Sequence, residues 1–353
     1  MPVDLTVREY RDGDEAAILD LFARSFPHAP RSEAHFRWKY LVNQLAVGGW
    51  RLAGEAGEAA AGATANRQPP TANHPRISLA FEGPKLVGHY AGYPVPFRAY
   101  GKDVLAHQVG DTMTDVSVRH IGRGSTSVLG RTALHFYEAF CEGKVAFNYG
   151  FNVANIQKFS LRFLRSDRVE PVTYRVAPPP RPISRAERWL RGYSFELVRE
   201  TDAEWDALFE RCAGAYTFCV RRNAAYVRWR YLECPDVPYV VVAVRKWRHL
   251  VGWIVYRIRE GRFVWGDALF DPDFPDAPEV VLRHVVPPHG VPAIEAWFPP
   301  RPRWFDEILL HLGFETRPEP QDLSVMCVPF AWPEVLPGMR ADLYYTWGDS
   351  DLF

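Results

Sequence analysis

Along the chain, ISLAFE (77–82), KLVGHYAGYPV (85–95) and PFRAYG (96–101) are apolar-rich runs that look like strands, with turn residues between them, a pattern that predicts an antiparallel meander. TMTDVSV (112–118) predicts the next strand. From Ser125 to Cys141 the spacing changes to that of a helix, in which Leu134, Tyr137 and Phe140 share one apolar face. KVAFNYGF (144–151) predicts a further strand, and VREYRDGDEAAILDLFARSF (7–26) an opening strand followed by a helix. The first half therefore reads as strand, helix, helix, several strands, helix, strand, helix.

The same order recurs. HFRWKYL at His35–Leu41 reappears as YVRWRYL at Tyr226–Leu232, and VRE at Val7–Glu9 as VRE at Val198–Glu200, both at an offset of 191 residues. LVG at Leu86–Gly88 and Leu250–Gly252 is offset by 164, so the first copy holds 191 − 164 = 27 extra residues upstream. A Gly- and Ala-rich stretch at 47–74 supplies them and reads as a flexible insertion. Pro178, Pro179, Pro180 and Pro182 remove N–H donors between the copies and predict an extended linker. The expected division is a first domain over 1–176, a linker over 177–192, a second domain over 193–334 and a docking tail over 335–353.

Composition narrows the function classes. At 353 residues the chain exceeds the usual single domain of roughly 100–200 residues. The 42 basic and 42 acidic residues cancel, which argues against a partner held by bulk charge, nucleic acid or membrane. Cys141, Cys212, Cys219, Cys234 and Cys327 form no C-x-x-C pair, so no disulfide framework or metal site is signalled and a reducing compartment is implied. The N-terminus has no signal-peptide core, and the cytoplasm is the expected location.

The chemically informative stretch is VSVRHIGRGSTSV (116–128), a β-branched run, a turn with two glycines, and a helix start. Glycines let backbone N–H groups approach a ligand, and a helix N-terminus favours an anion. A dinucleotide fingerprint would need a third glycine where Ser127 stands, and a P-loop would need Gly-Lys-Ser/Thr; neither is present. A plain strand-to-helix turn is the alternative.

Arg119-x-x-Gly122-x-Gly124 resembles the phosphate signature of the GNAT acyltransferases, and the opening strand and helix and the segment FNYGFNVANIQKF resemble the same family. The resemblance implies an α/β fold of two tandem GNAT-like domains, each a mixed, mostly antiparallel sheet flanked by helices. In the second half the loop position reads DALFDPDFPDAPEVVLRHV, without the glycine pair, so that half is expected to have the fold without the cofactor site. The cofactor implied is acetyl-CoA, held by Val116, Val118, Arg119, Gly122, Arg123, Gly124 and Ser125, with Asn152 and Asn155 at the next strand end and helix start reaching the pantetheine arm or capping that helix.

Acyl transfer to an amine calls for a general base, for which Asp111 and Asp115 on the strand before the loop are candidates; hydrogen bonds to turns or arginines would explain them equally. The family's tyrosine acid is missing from NIQKFSLRFL, leaving Tyr149 as substitute and Tyr137 second. The RW[KR]Y motif occurs in both halves and is read as structural. The implied activity is N-acetylation of a small-molecule primary amine, of amino-sugar or amino-acid type, by a protein that is also free to form a homodimer. A Fem-like aminoacyl transferase and a non-catalytic CoA-binding module are the rival readings.

Overall fold

The computed structural model describes residues 5–28, 31–42 and 75–353. The 47–74 insertion lies outside the described residues. Within them the elements are β1 (Leu5–Glu9), α1 (Glu15–Ser25), α2 (Glu33–Phe36), β2 (Ile77–Glu82), β3 (Lys85–Ala99), β4 (Lys102–Thr114), α3 (Val128–Phe136), β5 (Phe147–Asn152), α4 (Ala154–Phe163) and β6 (Asp167–Pro171). The chain continues through β7 (Tyr174–Ala177), α5 (Arg185–Leu190), β8 (Tyr193–Leu197), α6 (Ala203–Cys212), β9 (Phe218–Val220), α7 (Ala224–Val227), β10 (Val240–Lys246), β11 (His249–Arg259) and β12 (Arg262–Phe270). It closes with α8 (Ala277–Val285), β13 (Ile294–Trp297), α9 (Arg303–His311), β14 (Glu315–Arg317), β15 (Ser324–Pro329), α10 (Val335–Asp342) and β16 (Leu343–Tyr344). The chain is α/β, with two mixed, mostly antiparallel sheets flanked by helices.

The first unit comprises residues 1–96, 103–170 and 324–337. Its strands run in the order β1-β2-β3-β4-β5-β15-β6. The predicted meander is present in part: β1, β2 and β3 pair antiparallel, with Val7 opposite Ala80 and Leu79 opposite His89, but KLVGHYAGYPV and PFRAYG, expected as two strands, run on as the single strand β3 through Pro94 and Pro96. β4 and β5 are parallel and paired only at Ala106↔Phe147, His107↔Asn148 and Gln108↔Tyr149. Beyond those residues the two strands run on, to Thr114 and Asn152, without pairing to each other.

The second unit comprises 97–102, 171–323 and 338–353, around a sheet of order β14-β7-β13-β12-β11-β10-β8. Its parallel pair is equally short, Phe263↔Ile294 to Trp265↔Ala296. The units interleave in sequence, unlike the contiguous domains expected: β15, from near the end of the chain, lies between β5 and β6 in the first sheet, whereas β7 lies between β13 and β14 in the second. Partner choice by strands is a long-range property that local patterning does not encode.

The repeated motif folds alike in both copies. A four-residue helix, α2 or α7, runs into a π-helical turn, Arg37–Leu41 or Arg228–Leu232. Each turn buries its tryptophan, its tyrosine and its central cation, Lys39 or Arg230. The tail is docked, with Tyr344, Tyr345, Thr346, Asp349, Ser350 and Phe353 buried. Among the described residues no helix is long and apolar enough to cross a membrane.

Candidate functional site

The strand expected over 112–118 stops at Thr114. Asp115 accepts hydrogen bonds from Ser117 N (2.9 Å) and Ser117 Oγ (2.7 Å), which turns Val116–Val118 into a short 3-10 helix. Val116 is thereby left exposed, while Val118 is buried against Leu5, Ala80, Val87 and Val128. The predicted helix over 125–141 is three pieces: a 3-10 turn (Gly124–Thr126), α3, and a π-helical end (Tyr137–Cys141).

The loop between them is shaped by its glycines. Gly122 and Gly124 have φ of 67° and 56°. A Cβ on Gly122 would lie 2.2 Å from the Thr126 carbonyl oxygen, and one on Gly124 2.6 Å from the Phe163 ring. Ser127 caps α3, its Oγ accepting from Gly130 N at 3.1 Å. The amides of Arg119, Ile121, Arg123, Thr126 and Ser127 are spent on protein acceptors within the loop. Among the described residues, those of His120, Gly122, Gly124, Ser125, Val128 and Leu129 have no such acceptor.

A cavity of about 470 Å³ lies at this loop, lined by Thr112 and Thr114 of β4, Val118, Arg119, the start of α3 (Ser127, Val128, Leu129) and the start of α4 (Val153, Asn155, Ile156, Phe159). Two helix N-termini thus border one space. α4 has Val153 at its cap position with no side-chain cap, so its first-turn amides remain available. Positive helix ends, loop amides and the Arg119 guanidinium together suit a phosphate-bearing ligand of the size small-molecule pockets take, roughly 300–1,000 Å³.

Of the residues expected to bind the cofactor, Val118, Arg119 and Asn155 line the cavity, and Gly122, Arg123, Gly124 and Ser125 form the adjoining loop. Asn152 is turned inward: its Nδ2 donates to Ser160 Oγ (3.3 Å), and its carbonyl accepts from Gln157 Nε2 (2.7 Å). Asn152 lines a separate small cavity with Tyr149 and Tyr137. Tyr149 is buried and stands opposite Gln108, at the last paired position before β4 and β5 separate. Tyr137 is fully buried; burial drives its pKa upward and its hydroxyl meets that of Tyr90 at 3.1 Å.

The two aspartates face away from the 470 Å³ cavity, which Thr112 and Thr114 line instead. Asp111, at a φ of 49°, accepts from Lys39 Nζ (2.7 Å) and Tyr40 OH (2.8 Å). Burial alone would raise its pKa, but the charge and hydrogen bond of Lys39 outweigh that and hold the carboxyl well below its usual range. Asp115 accepts from Arg24 and from Lys85 Nζ (3.0 Å) in addition to Ser117.

A signal for both positions lies in the sequence and was missed: Gly110-Asp111-x-x-x-Asp115 recurs as Gly266-Asp267-x-x-x-Asp271. Its structural environment recurs as well. Asp267 accepts from Tyr231 OH at 2.5 Å, as Asp111 does from Tyr40. Asp271 accepts from Arg211 Nε (3.2 Å), and Arg211 donates to Leu250 O, as Arg24 does to Leu86 O. Asp111 and Asp115 therefore serve the folding frame common to both units. In the second unit the loop following β12 is spanned by Pro272, Pro275 and Pro278, and the amides of Asp271, Phe274 and Ala277 are bonded to protein carbonyls.

Residues 6–161 match the family model described as an acetyltransferase (GNAT) domain. The fold is similar to that of a GCN5-related N-acetyltransferase from Anabaena variabilis (TM-score 0.62, 11% identity, 92% of this chain and 72% of that one). It is also similar to a putative acetyltransferase from Pyrococcus horikoshii (TM-score 0.52, 15% identity, 97% and 93%) and to Eis1 from Mycobacterium abscessus (TM-score 0.54, 16% identity, 91% and 72%). No curated protein matches the chain. The family match thus falls, apart from residues 97–102, within the first unit, and the two mixed, mostly antiparallel sheets flanked by helices are consistent with GNAT-like tandem domains.

Proposed function

We propose that the first unit is an acetyl-CoA-dependent N-acetyltransferase acting on a primary amine of a small molecule, an amino sugar or an amino acid. The observation that carries this reading is the convergence of open loop amides and two helix N-termini on the cavity at the unpaired end of β4 and β5. The chain's own groups fit the cofactor: amides of Gly122, Gly124 and Ser125 for the pyrophosphate, Arg119 and Arg123 for its charge, and Asn155 for the amides of the pantetheine arm.

Bound acetyl-CoA supplies an acyl group activated as a thioester. The incoming amine must be neutral to attack, so it has to lose a proton near the Gln108–Tyr149 end of the paired strands. Water takes that proton; Asp111, kept ionised by Lys39 on the face of β4 turned away from the cavity, holds the strand rather than the amine, and the Tyr149 hydroxyl is the candidate donor to the departing sulfur. Asp115 holds the β4 end and the 3-10 turn in place, which sets where the loop amides point.

One observation favours a non-catalytic CoA-binding module: both aspartates face away from the cavity. Calorimetry tests the cofactor site common to both readings, and an amine panel separates them. Calorimetry with CoA should give saturable 1:1 binding. Arg119, exposed and without a side-chain partner among the described residues, can be changed to alanine without cost to the fold. Loss of one charge-assisted hydrogen bond, about 1.5–3 kcal/mol, should weaken CoA binding roughly 10- to 150-fold. Absence of binding, or an unchanged affinity in Arg119→Ala, would exclude the proposed cofactor site. A panel of amines with thiol-release detection then decides between enzyme and module, since the module releases no thiol with any amine.

A further inference from the structure

One of the two-residue hairpins of the second unit carries residues its geometry disfavours. β10 and β11 are joined by two residues, Trp247 and Arg248, closing the pair Lys246↔His249. Their φ values are 49° and 84°, so both are left-handed, as in a type I′ turn, where Asn-Gly is the favoured sequence. The loops Tyr100–Gly101 and Glu260–Gly261, also positive at both residues, place glycine second, at φ 78° and 73°. In the first unit the corresponding β2–β3 loop starts with Gly83, at φ 56°. A bulky aromatic and an arginine held in this conformation cost free energy, and strain retained on a surface points toward a use for the side chains.

Trp247 is not alone. Its N–H donates to Gly192 O (2.9 Å), and its indole covers Gly192 so closely that a Cβ there would lie 2.4 Å from the ring. Gly192 follows α5 after the cap residue Arg191, and its own N–H donates to Trp189 O. Trp189, Leu190 and Trp247 are 73%, 71% and 64% exposed, three of the four most exposed large apolar side chains among the described residues. The tip formed by the end of α5 and the hairpin therefore displays two indoles and a leucine to solvent.

The charges around this tip that lack an opposite partner among the described residues have one sign. Arg185 and Arg188 lie on α5, Lys246 and Arg248 flank Trp247, and none of the four has a carboxylate partner among the described residues. The acidic neighbours are already engaged: Glu187 with Arg283 and Arg191, Glu196 with Arg245, and Asp276 with Tyr193 OH. The chain's zero net charge conceals this local cationic excess.

We propose that this tip docks on an anionic phospholipid surface. Trp189, Leu190 and Trp247 enter the headgroup region, where amphipathic indoles are favoured, while Arg185, Arg188, Lys246 and Arg248 meet lipid phosphates. Projecting side chains beside cations that have no carboxylate partner among the described residues match a fluid anionic interface, which needs no complementary shape. The inference stands independently of the acetyltransferase reading.

The test uses the full chain and sedimentation with vesicles of phosphatidylcholine alone or mixed with phosphatidylglycerol. Wild type should pellet with the mixed vesicles only, and less so as salt rises. Replacing the loop by the sequence its backbone prefers, Trp247→Asn with Arg248→Gly, should lower partitioning at least about tenfold while the melting temperature stays level or rises. Trp189→Ser, at a site with almost no packing, should also weaken binding without destabilising the fold. Wild type that ignores the anionic lipid, or variants that bind as wild type does, would overturn the proposal. So would lipid-free self-association that the variants abolish, because a second copy would then be the occupant.

Discussion

Asparagine at position 111 asks whether the carboxylate serves the fold, the reaction or both. Asp111 meets Lys39 Nζ at 2.7 Å and Tyr40 OH at 2.8 Å, and the Lys39 side chain is only 3% exposed. Asn keeps the shape but takes the negative charge from a buried cation, a change that costs about 3–5 kcal/mol. At about 2–4 °C per kcal/mol for a unit of this size, the first unit should melt roughly 6–20 °C lower by calorimetry. Asp111→Asn combined with Lys39→Met removes both charges, and most of the loss should be recovered, because a buried pair replaced whole is often close to neutral. Turnover separates the two roles. If Asp111 also handles the amine, kcat/KM falls on the order of 10²- to 10⁴-fold in both variants, stable or not. A single variant that melts with wild type would refute the ion-pair argument, and a double variant with turnover lowered to that extent would place Asp111 in the mechanism.

Two further outcomes follow from the same physics. Because Lys39 outweighs burial and holds Asp111 well below its unfolded pKa of about 3.9, the pair's contribution is present above that value and lost as pH falls through the folded one. Wild type should therefore lose stability below about pH 4, and Asp111→Asn/Lys39→Met should show a shallower acid limb in denaturant titrations at stepped pH. In the second unit, a Cβ on Gly266 would lie 1.7 Å from Phe353, which packs on Tyr239 at 4.8 Å between ring centroids. Gly266→Ala should expel that ring, costing roughly 2–3 kcal/mol of burial, and make the C-terminus measurably more susceptible to carboxypeptidase; an equally resistant tail would disprove the packing argument.

What the sequence discloses is what depends on local spacing. The RW[KR]Y repeat, the LVG pair and the apolar run ISLAFE each reappear as matching elements, because a π-helical turn, a strand pair and a hairpin are fixed by residues close in sequence. The Gly122–Gly124 turn was legible for the same reason. The exchange of β7 and β15 was not, since SVMCVP and YRVA carry no mark of which sheet they enter. Nor was the bearing of Asp111 and Asp115: alternation places them on one face of β4, but only the packed structure shows that this face meets Arg24, Lys39 and Lys85 while Thr112 and Thr114 meet the cavity.

The internal repeat separates frame from function more sharply than either copy could alone. In both units an aspartate after a glycine on the central long strand accepts from the motif tyrosine. In the second, the tail completes that polar centre: Arg222 bonds Asp267 and Asp349, Thr346 Oγ1 donates to Asp267 Oδ1 (3.0 Å), and Arg230 donates to the carbonyls of Gly348 and Ser350. These bonds, made by side chains almost wholly removed from solvent, tie the tail into the folded core of that unit. The aspartate, the tyrosine and the cation thus persist where no glycine loop follows, and their presence alone implies no chemistry. What distinguishes the first unit, among the described residues, is the set of unspent amides at His120, Gly122, Gly124, Ser125, Val128 and Leu129, and it is there that ligand binding has to be sought.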